Sequence, residues 1–253
     1  MTARVTVFVI LCIALSGPAP LAQRAPAPGR TGLPADILAL ACAPILAFET
    51  PAMPLRLTGG QDSFYRRIHA PGDLVTINAG ERNGIEVGQE FYVRRVQSSS
   101  GGRVSRQTPG TIRTSGWIRV YAVDTFMSLA TVTHACDTIE VDDYLEPLVL
   151  PQPVTASADR PTPQRENYGR VLSGQDLRRS FGKDDFFMVD RGSDHGVRVG
   201  TQFVLYRDKR VDGNFLYVLG EAMAVDVKPE SSTLRITMSA DAIQAGDYAA
   251  MRR

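Results

Sequence analysis

Net charge is almost absent from this chain: 28 Lys plus Arg stand against 27 Asp plus Glu. Without a global field nothing draws the protein toward nucleic acid or acidic membranes at long range, so any charge-driven role must be local. Past its first residues the chain has no apolar run approaching the ~20 residues of a membrane-spanning helix. His-x-x-x-His and Cys-x-x-Cys are both missing, so no metal-ligand spacing stands out and no cofactor is expected. Long charged helical stretches are missing too. The 22 glycines and 16 prolines follow no collagen period and favour many short strands and turns over a helical bundle. What is present is apolar: 43% of 253 residues, enough for one large or two small cores and too much for a disordered tail.

Residues 1–22 have the three-part layout of a secretory signal: Arg4, the apolar run 5–16, then Gly17, Pro18 and a small-residue stretch ending at Ala22. Cleavage after Ala22 and export to the periplasm or cell surface are expected. A membrane anchor is disfavoured because the run is too short. A lipoprotein is disfavoured because Cys12 sits inside the run and Cys42 lies beyond charged residues. Loss of the signal leaves Cys42 and Cys136, 94 residues apart, in a compartment where disulfides persist. One bridge is expected, and the chain-entropy account gives it roughly 4 to 5 kcal/mol. The competing reading is a nucleophile: His134 and Cys136 are two apart and share a face on a strand.

The chain repeats itself. A shift of 112 residues places Asp73 on Asp185, Gly80 on Gly192, Gly84 on Gly196, Gly88 on Gly200, Phe91 on Phe203 and Arg95 on Arg207. A shift of 104 then places Gly116 on Gly220, Val132 on Ile236, Ile139 on Ile243 and Asp143-Tyr144 on Asp247-Tyr248. The two shifts differ because the loop at 96–115 is longer than the one at 208–219. Upstream, Gln61-Asp62 matches Gln175-Asp176 and Arg66-Arg67 matches Arg178-Arg179. The units are repeat A at 55–147 and repeat B at 169–253. A Pro-rich linker is expected at 148–168. Residues 23–54 form an N-terminal segment, Pro- and Gly-rich at first, whose apolar part around Cys42 is expected to dock on repeat A.

Apolar pieces in each repeat are short and rich in β-branched and aromatic residues: 74–77, 91–93, 117–123 and 129–133 in A, and 186–189, 203–206, 222–227 and 233–238 in B. These are strand signals. With one strand upstream and one closing strand, each repeat has about six. Six short strands in about 90 residues bury a core by curling into a small barrel or barrel-like sandwich, so the expected class is all-β with two tandem modules. The glycines then serve turns. Asn78-Ala79-Gly80 and Asp190-Arg191-Gly192 end a strand, where an Asx side chain and a glycine with access to positive φ make a turn. Gly84 and Gly196 make the next turn, and Gly88 and Gly200 open the following strand. A phosphate loop is excluded, since no Lys-Ser/Thr follows and no helix begins there.

The string Asp-x-Val-x-Ile-Asn-x-Gly, then Asn-Gly-Ile-x-Val-Gly-Gln-x-Phe-x-Val-x-Arg, at 73–95 has an echo in repeat B that closes with Gly246-Asp247. It resembles small β modules of secreted bacterial envelope proteins, some of which accompany LysM peptidoglycan-binding domains. It is also similar to the C-terminal module of the flagellar assembly protein T. The resemblance covers roughly 180 residues through turn glycines and strand pattern, and it implies the fold and no catalytic residue. No LysM repeat is present, so glycan binding is not carried over. In repeat A the closing pair is Asp142-Asp143.

Duplication also tests the reactive residues. His134 aligns with Met238, Cys136 with Ala240, His195 with Asn83 and His69 with Phe181, so none recurs. Gly192-Ser193-Asp194-His195-Gly196 is not a Gly-x-Ser-x-Gly elbow. Adjacent acids at 142–143 and 184–185 point to opposite faces of a strand. The most suggestive charge is Arg94, Arg95, Arg103, Arg106, Arg113 and Arg119, six cations between Glu90 and Asp124. With 97–115 read as a mobile loop, they are candidates for contact with an anionic envelope polymer or acidic protein, set against a merely solvated loop. The matched Asp and Arg pairs near 61–67 and 175–179 are expected to make an internal contact. The expected function is a non-catalytic exported envelope protein that binds or scaffolds an envelope polymer or protein, with no nucleic acid partner. The alternatives are a flagellum- or secretion-associated assembly factor, and a hydrolase or transpeptidase using Cys136 with His134.

Overall fold

A computed structural model describes residues 33–61, 66–98, 104–105, 108–155, 163–174, 178–208 and 216–252. The signal region 1–22, Arg103, Arg106, Asp62 and the 175–176 pair lie outside them. Strands are the main element of the described chain, with little helix. After a short helix α1 (Ala35–Ala41), the first half holds β1 (Ile45–Ala47), β2 (Leu57–Gly60), β3 (Ile68–His69), β4 (Leu74–Ile77), β5 (Glu90–Ser98), β6 (Gly110–Val123), β7 (Ser128–Ala135), β8 (Ile139–Glu140) and β9 (Tyr144–Pro147). The sheet runs β2-β4-β7-β6-β5-β9, with β1 added to β6 and a separate β3-β8 ribbon. Its two ends, β2 and β9, meet at an isolated bridge between Arg56 and Tyr144.

The second half holds β10 (Pro163–Gly174), β11 (Ser180–Phe181), β12 (Phe186–Val189), β13 (Gln202–Asp208), β14 (Leu216–Val227), β15 (Ser232–Ser239), β16 (Ile243–Gln244) and β17 (Tyr248–Arg252). Here β10-β12-β15-β14-β13-β17 close into a barrel, and β11-β16 form a ribbon. Closure runs through β10 and β17, where Tyr168, Gly169 and Arg170 face Ala250, Ala249 and Tyr248. The strand order matches that of the first sheet position by position. Both cores come from period-two patterning: alternate residues point inward, as the buried Val75 and Ile77 on β4 show. The barrel is filled by Phe187, Phe203, Leu205, Leu234 and Ile236, all fully buried. Each contributes about 1.5 to 3 kcal/mol by leaving water.

Equivalent hydrogen bonds hold equivalent turns. The Arg56 backbone N–H donates to Asn78 Oδ1 at 2.7 Å, and that of Arg170 to Asp190 Oδ1 at 2.6 Å. The Ser128 hydroxyl donates to Ala79 O at 2.7 Å, and that of Ser232 to Arg191 O at 2.6 Å. The Asx side chains therefore pin the preceding strand. Arg66 pairs with Asp73 at 2.6 Å and Arg178 with Asp185 at 3.5 Å, so the internal Asp–Arg contact uses acids downstream of the arginines. Asp142, with φ 75°, takes the left-handed conformation that Gly246, with φ 97°, takes in the barrel. Aspartate tolerates that region.

The structure corrects three local expectations. Gly80 and Gly192 have extended φ of −138° and −135°, so access to positive φ is not why glycine stands there. Instead, a Cβ on Gly80 would overlap backbone atoms of Asp124, Phe126 and Met127, and one on Gly192 those of Lys228, Pro229 and Ser231. Both ends of the loop expected at 97–115 are strand: β5 and β6 pair out to Ser98 and Gly110, and β1 lies on β6 there through Ile45, Leu46 and Ala47. Three-strand pairing satisfies backbone groups that a loop would leave to water. Finally, β10 begins at Pro163, inside the span expected as linker. A proline is tolerated at the first position of a strand.

The N-terminal segment crosses between the halves. Its β1 is a strand of the first sheet, while Pro44 O accepts a buried 2.7 Å hydrogen bond from the Thr233 hydroxyl on β15 of the barrel. Docking on the first repeat alone was expected. The strap joins both.

Candidate functional site

Of the six candidate arginines, the four described ones lie on strands and each meets an acid. Arg94 pairs with Glu146 at 2.7 Å and lies 4.5 Å from the Tyr92 ring centre. Arg113 pairs with Asp137 at 2.8 Å, and Arg119 with Glu90 at 2.9 Å. Arg95 donates through Nε and Nη2 to Asp143 at 2.6 and 2.9 Å, and through Nη1 to Glu140 at 2.6 Å. Burial disfavours the charge on Arg95, but the hydrogen bonds from Asp143 and Glu140 outweigh it and drive its pKa up. The barrel repeats this fork: Arg207 donates to Asp247 at 2.8 and 2.7 Å, and that hydrogen bonding likewise raises the Arg207 pKa. A residue that recurs with the same bidentate partner is holding the closing turn. The Asp143 side chain is only 1% exposed, so Arg95 is paired with a buried acid, whereas the Arg119 side chain stays 37% exposed. Arg103 and Arg106 lie outside the described residues.

The bridge between Cys42 and Cys136 is formed, with the two Cα atoms 5.7 Å apart. Cys136 therefore offers no thiolate. Beside the bridge, the His134 ring stacks on Trp117 with centres 4.2 Å apart and planes 20° from parallel. Tyr92 meets Trp117 edge-on at 6.3 Å. Burial lowers the His134 pKa, so the imidazole is neutral near pH 7. These rings form the floor on which Ala41, Leu33, Leu38, Leu148 and Leu150 pack, and Tyr92 OH donates to Val149 O at 3.0 Å. Strap, linker and sheet thus share one apolar cluster on the outside of β5 and β6. A cavity of about 200 Å³ opens at its border with the barrel, lined by Leu40, Pro44, Tyr92, Arg94, Leu150 and Asp226 among others.

The other two histidines lie away from the bridge. His195 Nδ1 accepts from the Gly192 N–H at 3.2 Å, as Asn83 Oδ1 does from Gly80. His69 is buried on β3 opposite Ile139 of β8, and burial lowers its pKa, with Arg66 adding to the effect and Asp73 opposing it.

One feature had no signal in the sequence reading. The hairpin joining β6 to β7 exposes Phe126 and Met127 at its tip and Tyr121 on its flank, and Arg82 lies 5.2 Å from the Phe126 ring centre. The corresponding barrel hairpin carries Val225, Glu230 and a buried Ser231. Among the described residues no helix is long and apolar enough to cross a membrane. Neither a known protein family nor a curated protein matches this sequence.

Proposed function

We propose that the protein is an exported, non-catalytic component of the cell envelope, in which two copies of one small β-barrel module are held as a fixed pair to bind or scaffold an envelope polymer or protein. In this reading the first sheet is a barrel of the second kind, completed at the Arg56–Tyr144 bridge. The observation that carries the reading is the doubly attached strap. Tied to one half by Cys42–Cys136 and by β1, and bonded to the other through Pro44 and Thr233, it favours two frames presented in a constant relation. A disulfide, and no spanning helix among the described residues, are compatible with export. The resemblance of the turn pattern to secreted envelope modules points the same way.

The test is retention of the purified protein on isolated cell wall and on envelope membranes, with thiol content read by alkylation and mass. Retention on one fraction, with both Cys42 and Cys136 blocked to alkylation in protein taken from cells, is the expected result. Neutralising Arg103 and Arg106 leaves the strand ion pairs intact and so asks whether these two cations contribute to retention. A chain that is reduced in cells and is held by neither fraction overturns the reading. A free Cys136 that labels with an acylating or glycan-mimetic inhibitor would favour the hydrolase alternative.

A further inference from the structure

Cys42, Cys136 and His134 each bring one ligand-type atom to a single spot outside β6 and β7, and these atoms lie within 4.8 Å of one another. Around one zinc ion, sulfur at about 2.3 Å and nitrogen at about 2.0 Å stand roughly 3.5 Å apart. Small side-chain rotations therefore suffice once the S–S bond is open. All three residues are half-buried, so an ion can reach them.

Each ligand is also held by backbone that does not depend on the disulfide. His134 sits in the β6–β7 ladder opposite Trp117, with its ring plane set by the stack. The Cys136 N–H donates to Ser115 O at 2.9 Å, and the Cys42 N–H to Leu38 O at 3.1 Å. Three residues beyond Cys42, β1 is laddered to β6. The barrel offers a control inside the same molecule: the positions of Trp117, His134 and Cys136 are held there by Glu221, Met238 and Ala240. The barrel folds without this constellation, so the frame itself does not require it.

We propose that reduction converts the Cys42–Cys136 disulfide into a site for a soft or borderline cation of the Zn²⁺ or Cu⁺ kind, with two thiolates and the His134 imidazole as ligands. The S–S bond takes two electrons and two protons from a dithiol reductant, which leaves as its own disulfide. The two cysteine thiols then lose their protons on binding the ion, and the neutral imidazole supplies a lone pair. With zinc, three protein ligands leave the fourth tetrahedral position to water or an incoming ligand. The ion keeps the strap fastened to β6 and β7 in the state where the covalent bond is gone.

The test uses the whole protein, reduced with a phosphine rather than a thiol and kept anaerobic. Titration with Co²⁺ is expected to give one equivalent of a thiolate-to-cobalt charge-transfer band with the intense visible bands of a four-coordinate ion, displaced by Zn²⁺. Trp117 is the sole tryptophan, and its fluorescence is expected to change over the same titration. The oxidised protein should bind none. Paired C42S and C136S substitutions should abolish the band. His134→Gln should keep thiolate binding but weaken zinc affinity by roughly tenfold or more. Should a variant fold poorly by far-UV circular dichroism, protection of both thiols of the reduced parent from alkylation by one equivalent of Zn²⁺ gives the same answer without mutation. A reduced protein that shows neither the band nor the protection, or a folded His134→Gln protein with unchanged affinity, overturns the three-ligand site.

Discussion

The first sheet and the barrel share strand order, turn hydrogen bonds and the arginine–aspartate fork, yet they are finished at their seams by different means. In the barrel, β10 is 12 residues long and pairs along β17, whereas its counterpart β2 has four residues and the chain there meets the β9 end through the Arg56–Tyr144 bridge and backbone hydrogen bonds of Leu55 and Leu57 with Leu145 and Asp143. Outside the barrel, Tyr168 on β10 packs against Tyr206 and Tyr248. Outside the first sheet, that covering role falls to the strap and the start of the linker, which sit on Tyr92 and Trp117. A short seam strand leaves apolar surface that must be covered by chain from elsewhere, and chain from elsewhere needs a fastening. The disulfide is found on the half that has the shorter seam strand.

The largest test of this contrast is removal of the fastening. Replacing Cys42 and Cys136 by serine is expected to cost about 4 kcal/mol, from a 94-residue loop no longer closed in the unfolded chain. In hydrogen exchange followed by mass spectrometry, the loss should appear in β1, β5 and β6, while β12 and β15 stay protected. Equal loss in both halves would mean that the bridge stabilises the molecule as one unit. Next in size is the fork. Asp143→Ala and Asp247→Ala each leave a partly buried guanidinium without its bidentate partner and should each cost about 3 kcal/mol in urea unfolding, every one lowering protection in its own half. A small effect at Asp247 beside a large one at Asp143 would show that the closed ladder replaces the fork. The smallest change is Thr233→Val, which removes the hydroxyl that reaches Pro44 O. About 1 kcal/mol is expected, seen as faster exchange in β1 with the barrel core unchanged. No change in β1 would detach the strap from the barrel in energetic terms.

The duplication could be read from residue order because turn glycines and alternating apolar residues answer to local backbone geometry. Gly84, Gly88, Gly196 and Gly200 do adopt the positive φ that a turn needs. Gly80 and Gly192 are equally visible, but their reason is not: the obstacle is the backbone of a hairpin tip more than 35 residues away. The ion-pair partners of the arginine group are hidden in the sequence for a related reason. Counting charge in a window finds Arg94, Arg95, Arg113 and Arg119 together, whereas the acids that neutralise Arg94 and Arg95 are 45 to 52 residues distant in the chain. Those acids arrive only once β9 has folded beside β5. The candidate metal cluster follows the same pattern. Cys42–Cys136 and the neighbouring His134 are each legible in residue order, but only the docked strap brings all three to one spot.

The all-β class, the core pattern and the pairing of the two cysteines follow from residue order alone, since period-two burial, turn chemistry and an even thiol count act over short range or by elimination. Which cations remain free, which half needs a strap and which side chains share a pocket belong to the folded molecule. Those are matters of distance between residues far apart in sequence, and only the closing of the sheets sets such distances.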